Sequence, residues 1–235
     1  RAAYRPARRT GRTMELRHEP LAIQPSSQAL APVYLIAGPE TLRVLEAADA
    51  VRARARADGI SEREVFDADG RDFDWNQLDA TFNAPSLFSA CRLVEVRLPS
   101  GKPGKDGSEA LQRYCAHLSD DVLTIVHLPK LDRQQQQGAW FGALSQAGPT
   151  IEVLPVDRRQ LPTWIAQRLA AQGQRVAEGE EGQRSLAFFA DRVEGNLLAA
   201  HQEIAKLALL HAPADPRGAP AVLAREQIEA AVLDV

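Results

Sequence analysis

The feature that most constrains the fold of this chain is the alternation of strand-like and helix-like segments between residues 33 and 154. Short runs typical of β-strands occur at 33–37, 64–66, 92–98, 122–126 and 150–154. Most of the segments between them carry apolar residues at helical spacing. Because neighbouring parallel strands are joined through crossover helices, this order predicts an α/β fold with a largely parallel sheet and flanking helices.

The last third of the chain has a different pattern. Beyond Pro155 no further strand is predicted, and three helices followed by a fourth fill the remainder. We therefore predict an α/β domain over 21–155 and a small domain of three to four helices over 156–235. Glycines and prolines predict a flexible loop over 99–108, and residues 133–146 can form one helix that carries Trp140, Phe141 and Leu144.

The first residues form a basic segment. Five arginines and no acidic residue lie within the first 13 residues, and without these arginines the formal net charge of −3 becomes −8. No apolar run follows, so the segment is not a secretory signal. We predict a disordered extension over 1–20, with contact to nucleic acid as the alternative. The acidic remainder argues against a broad DNA-binding surface.

The cysteines and the apolar runs bear on location. Cys91 and Cys115 show no metal-ligand spacing. Two isolated thiols in a chain of this length indicate a reducing compartment, and we therefore expect a cytoplasmic protein. No apolar run approaches the roughly 18–20 residues that a membrane helix needs, so no membrane partner is expected.

The turn Gly38-Pro39-Glu40 follows the first strand of the α/β domain, where a nucleotide-hydrolysing fold carries its phosphate loop. That loop needs G-x-x-x-x-G-K-[ST], because its amides wrap the phosphates while the lysine neutralises them. Here Arg43-Val44-Leu45 replaces the G-K-[ST] end of the motif. Pro39 removes an amide donor, and Glu40 brings negative charge. The sequence therefore predicts a degenerate turn and no cofactor.

Other catalytic and metal-binding patterns are missing from the sequence. The strand at 122–126 runs into His127 instead of a metal-binding acid, and Asp132 further along is predicted to be a helix N-cap. The sequence contains no H-E-x-x-H pattern and no G-x-S-x-G elbow. We expect no catalytic residue and no metal site, and hence not an enzyme.

Two large apolar residues, Leu87 and Phe88, stand side by side after Pro85 and Ser86. Adjacent helix positions point about 100° apart, so one narrow buried stripe rarely takes both. A turn at the surface could present both to a pocket on a partner, where a few buried anchors dominate affinity. The alternative is that both fill the local core before the next strand.

Several segments in order carry a resemblance to a known family. They are V-Y-L-I-A-G at 33–38, S-L-F at 86–88, G-A-W-F-G-A-L at 138–144, Q-L-P-T-W at 160–164 and E-G-N-L-L at 194–198. The chain resembles the delta subunit of bacterial DNA polymerase III, the clamp-loader component that opens the sliding clamp. The resemblance implies an AAA+-like α/β domain, followed by a small helical lid domain, in a subunit that does not hydrolyse ATP.

The resemblance also implies a binding site and partners. In this family a Leu-Phe pair enters a hydrophobic pocket on the clamp, and Leu87 and Phe88, preceded by Ser86, match that pair. The implied partners are the sliding clamp (the beta subunit) and the other clamp-loader subunits, with DNA only as part of the complex. Family members continue into a helical collar domain, and since this chain stops at Val235 within a predicted helix, we expect a fragment without it.

Two hypotheses from other functional classes also fit the sequence. Gly38 and the strand-to-helix turn would also fit a divergent NTP-binding AAA+ protein. The arginine-rich segment would fit a DNA-binding module.

Overall fold

The computed structural model describes residues 11–16, 29–69, 73–84, 91–212 and 218–232. The strands are β1 (Thr13–Leu16), β2 (Val33–Ala37), β3 (Glu62–Asp67), β4 (Arg92–Arg97), β5 (Val122–Leu128), β6 (Thr150–Val153), β7 (Gln174–Val176) and β8 (Ala221–Leu223). The helices are α1 (Thr41–Ala57), α2 (Trp75–Asn83), α3 (Gly104–Ala116), α4 (Arg133–Gln136), α5 (Ala139–Ala147), α6 (Leu161–Ala171), α7 (Glu180–Val193), α8 (Leu197–Leu210) and α9 (Arg225–Val232). None of these described helices has the length and apolar character needed to cross a bilayer.

The chain divides into two compact units, residues 1–155 and 156–235. In the first unit six strands form one sheet in the order β1-β6-β2-β5-β4-β3, and every neighbouring pair is parallel. The register across the centre aligns Leu35 with Val126 and Val126 with Val96. The predicted α/β fold with a parallel sheet is confirmed.

Helices cover both faces of this sheet. On one face α1 contributes buried residues to a core with the strands, among them Ala48 and Val51. On the other face α2, α3 and α5 supply a second core that includes Phe82, Tyr114 and Trp140. Every residue of β5 is buried, as expected for a central parallel strand enclosed on both faces.

The prediction of a disordered basic extension over residues 1–20 is wrong for residues 13–16. These residues form β1, the edge strand that pairs in parallel with β6. Leu16 packs against the core beneath α1, and Thr150 N donates a hydrogen bond to Arg12 O at 3.0 Å. A strand of four residues is too short for its alternation of exposed and partly buried side chains to be recognised next to an arginine-rich segment. Residues 1–10 and 17–20 lie outside the described residues.

Two predicted boundaries in the first unit also need correction. The loop predicted over 99–108 ends early, because α3 begins at Gly104. Gly107 allows this first turn to approach α2, since a Cβ at this position would lie 2.4 Å from the ring of Trp75. The helix predicted over 133–146 is divided into α4 and α5, with Gly138 in an extended conformation as the N-cap of α5.

The described residues of the second unit form four helices, α6 to α9, as predicted, but they also form strands. β7 and β8 form a two-stranded parallel sheet. Gln174 of β7 is fully buried, and its side-chain amide donates hydrogen bonds to Leu207 O and His211 O, both at 2.8 Å. These bonds satisfy carbonyl groups at the C-terminal end of α8. Strands of three residues are too short for periodicity to reveal.

Candidate functional site

The turn between β2 and α1 is only three residues long. β2 ends at Ala37 and α1 begins at Thr41, which leaves Gly38, Pro39 and Glu40 between them. The amide of Gly38 donates to Leu128 O at 3.3 Å, and proline has no amide hydrogen. A phosphate loop presents several free backbone amides to its ligand. In this turn the amide of Gly38 is already hydrogen-bonded and Pro39 has none, so neither can bind a phosphate.

The backbone of β6 lies directly against this turn. A Cβ at Gly38 would lie 2.3 Å from Val153 O, so glycine is required here by the neighbouring strand. Arg43, which replaces the second glycine of the phosphate-loop motif, is 2% exposed, and its Nη1 donates to Leu154 O at 2.8 Å. The arginine therefore ties α1 to the end of β6.

A cavity of about 160 Å³ opens beside the turn. Its lining is largely apolar, and two charged residues of opposite sign, Lys130 and Glu152, contribute to it. A site for a nucleoside triphosphate needs several hydrogen-bond donors and cations that converge on the phosphates. The residues that line this cavity do not supply that set.

A buried carboxylate lies near the ends of β4 and β5. Glu95 is fully buried. Arg52 of α1 contacts both carboxylate oxygens, at 2.8 and 2.6 Å, and Arg63 Nε lies 2.5 Å from Glu95 Oε1. His127 Nε2, on β5, lies 3.1 Å from Glu95 Oε2.

The electrostatics of this cluster favour the ionised carboxylate. Burial by itself would raise the pKa of Glu95, but hydrogen bonds from Arg52, His127 and Arg63 outweigh it and hold the pKa well below its usual range. The same pairing with Glu95 raises the pKa of Arg52. The carboxylate is thus paired within the protein, in a structural ion cluster.

Asp132 has the structural role that the sequence predicts. Its side chain accepts from Gln135 N at 2.7 Å, and Gln135 Oε1 accepts from Asp132 N at 2.8 Å, which forms a capping box at the start of α4. Among the described residues there is no group of three or more His, Cys, Asp or Glu side chains that could hold a metal ion.

The predicted partner-binding residues Ser86, Leu87 and Phe88 lie outside the described residues, so their exposure stays a prediction. Helix α2 precedes this segment and β4 follows it. α2 begins at the N-cap Asp74, whose side chain accepts from Asn76 N at 2.9 Å. Near the end of α2, the buried ring of Phe82 stacks on Tyr114 with centroids 3.8 Å apart.

Arg92, the first residue of β4, is an unpredicted feature beside this segment. It is 3% exposed. Its Nη2 contacts the carbonyl oxygen of Thr81 and lies 2.5 Å from that of Ala84, while Nη1 lies 3.6 Å from Glu64 Oε1. The only signal in the sequence is a charged residue at the start of a strand that is otherwise buried.

Comparison with solved structures first defines the class of fold. The Bacillus subtilis DNA clamp loader delta protein matches 85% of this chain and 57% of its own, with a TM-score of 0.57 and 18% identity. A variant of Thermotoga maritima RuvB matches 88% of this chain and 63% of its own, with a TM-score of 0.52 and 12% identity. The fold is therefore of the AAA+ class, an α/β unit followed by a small helical unit.

Sequence comparison then identifies the family. The sequence model of the family "DNA polymerase III, delta subunit" matches residues 34–153, and this chain belongs to that family. DNA polymerase III subunit delta of Escherichia coli is 33% identical over 184 residues, and that of Haemophilus influenzae is 28% identical over 188. These alignments cover 78% and 79% of this chain but only 52% and 53% of the two relatives.

Proposed function

We propose that this chain is the clamp-binding part of a clamp-loader delta subunit, which binds and opens a sliding clamp without hydrolysing nucleotide. The observation that carries the proposal is the family match over 34–153, because that range contains both the Ser86-Leu87-Phe88 segment and the degenerate turn at Gly38. Clamp loading would place the chain in DNA replication as a non-catalytic subunit of DNA polymerase III.

Leu87 and Phe88 are the proposed anchors. Two adjacent large apolar side chains that enter a pocket together can supply most of the affinity of an interface. The acidic character of the chain without its first arginines argues against DNA as the main ligand. DNA would be contacted only as part of the assembled loader.

Opening of a ring by this chain is a matter of differential affinity. A binding partner shifts a closed ring towards the open form only by binding the open form more tightly. We propose that Leu87 and Phe88 fix the chain to the clamp, while the surrounding surface of the first unit fits the open ring better than the closed one.

ATP would act on sister subunits instead of this one. The three-residue turn supports this division, because the amide of Gly38 is bonded to β5 and Arg43 is bonded to the end of β6. Contacts with those subunits would lie mainly in the part of the relatives that this chain does not cover. Two buried free cysteines are compatible with a cytoplasmic location.

A calorimetric titration with the cognate clamp tests the proposal. We expect Leu87→Ala combined with Phe88→Ala to weaken binding by at least about 100-fold, as for two hot-spot anchors. Leu209 and Leu210 form the matched control, because they are also adjacent and are 85% and 65% exposed in the second unit. Alanine at both control positions should leave the affinity unchanged.

A further inference from the structure

The exposed side of α8 carries no aspartate, glutamate, lysine or arginine. Its exposed side chains are Leu198, His201, Gln202, Ala205, Leu209 and Leu210. A helix that faces water normally places charged residues on that side. Helix α7, which has the same length and belongs to the same unit, exposes the charged residues Glu180, Glu181, Arg184, Asp191 and Arg192. The composition of α8 is therefore that of a helix that packs against a further surface.

The two charged residues of α8 have partners within the second unit. Glu203 and Lys206 form an ion pair with each other, and the side chain of Glu203 is only 15% exposed. Lys206 Nζ also donates a hydrogen bond to Ala231 O, near the end of α9, at 2.7 Å. These contacts leave the exposed side of α8 apolar, apart from one amide and one imidazole.

Four of the exposed residues of α8 lie in one row along the helix. They are separated by four, three and four positions, and they form the α8 row: Leu198, Gln202, Ala205 and Leu209. Alternation of three and four is the spacing at which two helices pack side by side with a small crossing angle. The leucines at the two ends are 44% and 85% exposed. The row extends over about 16 Å of the helix.

The spacing of the α8 row is the same in both directions. It is four, three, four from either end, with a leucine at each end. When two copies of α8 lie antiparallel about a twofold axis at the centre of the row, Leu198 of each copy faces Leu209 of the other. Gln202 of each copy then faces Ala205 of the other, so that a long side chain meets a small one. A twofold contact requires such a self-complementary surface.

We propose that α8 packs antiparallel against α8 of a second copy of this chain, through the α8 row. Because the row spans only three helical turns, the contact buries less than the roughly 800 Å² per partner of a standard interface. We therefore expect a weak dimer, with a dissociation constant on the order of 10–100 µM. The dimer uses no residue of the first unit, so it is independent of the proposed binding to the clamp.

Analytical ultracentrifugation of the full chain tests the dimer, over concentrations that extend about tenfold to either side of that dissociation constant. We expect the average mass of the wild type to rise with concentration from that of one chain towards that of two. Ala205→Glu places a carboxylate from each copy at the centre of the contact without a partner. We expect this change to weaken the dimer at least about tenfold.

Ala187→Glu is the matched control. Ala187 is also an exposed alanine, and it lies in the middle of α7, in the same unit. We expect this variant to dimerise with the wild-type dissociation constant. Both alanines face solvent, so circular dichroism and thermal melts should show the same fold in the two variants.

A mixing experiment tests the antiparallel pairing. Leu198→Glu and Leu209→Lys should each weaken the dimer of the variant alone, because every end of the contact then sets a charge against a leucine. In an equimolar mixture the two introduced charges face each other at one end, and two leucines remain in contact at the other. We expect the mixture to associate at least about tenfold more tightly than either variant alone.

The outcomes separate this dimer from its alternatives. A wild-type chain that stays monomeric over the whole concentration range overturns the proposal. A dimer that Ala205→Glu weakens no more than Ala187→Glu overturns it as well, since another surface then holds the two copies. A mixture of the two leucine variants that associates no better than its components overturns the antiparallel pairing. The clamp titration of the Leu87 and Phe88 variants decides the proposed function separately.

Discussion

At the scale of single residues, the most unusual group in the first unit is Glu95. It is fully buried, and three cationic or potentially cationic side chains surround it. Removing one member of a buried ion cluster leaves the others without compensation, which costs far more than the loss of a surface pair. Glu95 therefore holds α1, β3 and β5 to β4.

Glu95→Gln should lower the free energy of unfolding at neutral pH by about 3 kcal/mol. The pKa of Glu95 is lowered in the folded protein, so its contribution is present above the unfolded value of 4.5 and is lost as the pH falls towards the folded value. Urea denaturation from pH 7 down to pH 3 should therefore show a steeper loss of stability in wild type than in the variant.

Asp49→Asn is the control for this prediction. Asp49 contacts the same Arg52 at 2.7 Å, but its side chain is 66% exposed. We expect a loss below about 1 kcal/mol, because solvent screens such pairs. Equal losses for the two variants would contradict a special role for the buried carboxylate.

Local sequence patterns predicted the helix cap and the turn, but not the buried ion pairs. The sequence predicted Asp132 as a helix cap, because a cap is recognised from residues three positions apart. It also predicted the turn at Gly38, but not that Val153 of a distant strand requires a glycine there. The partners of Glu95 and Arg92 are brought together only by the sheet and its flanking helices, and no local pattern marks them.

At the scale of elements, long segments with clear periodicity were predicted and short ones were missed. β5 and α1 have the length and composition that identify them. β1, β7 and β8 have three or four residues each, and they exist because a neighbouring strand offers free backbone groups. The division between α4 and α5 at Gly138 was missed because α4 is a single turn of polar residues, Arg133–Gln136, which has no apolar period of its own.

Truncation tests the contribution of β1. Removing residues 1–10 keeps β1 and its pairing with β6, and we expect the free energy of unfolding to change by less than about 0.5 kcal/mol. Removing residues 1–16 should lower it by about 1–3 kcal/mol, because the core loses the packing of Leu16 and β6 loses one of its two neighbouring strands. Chemical denaturation measures both, and equal stability of the two truncations would contradict a structural role for β1.

At the scale of the whole molecule, the chain combines an AAA+ fold with a turn that lacks the phosphate-loop motif. Family membership explains the fold, and the sequence was sufficient to recognise both. The exposure of Leu87 and Phe88 stays a prediction. Whether two apolar residues face solvent depends on how the rest of the protein packs around them, which no local pattern shows.

Equilibrium titration with ATP and magnesium tests the nucleotide side of this account. We expect no saturable binding in the micromolar range, because Arg43 and the end of β6 occupy the neighbourhood of the turn. A phosphate-loop ATPase in the same buffer serves as the positive control. Saturable binding of ATP in the micromolar range would instead support the hypothesis of a divergent NTP-binding protein.

The most direct test of the central claim is the ratio of two dissociation constants for the clamp, that of the folded Leu87→Ala, Phe88→Ala variant over that of wild type. Two anchors buried in a pocket on the clamp predict a ratio of at least about 100, with the Leu209 and Leu210 control near one. A ratio near one for the Leu87 and Phe88 variant would contradict the claim that this pair binds the clamp.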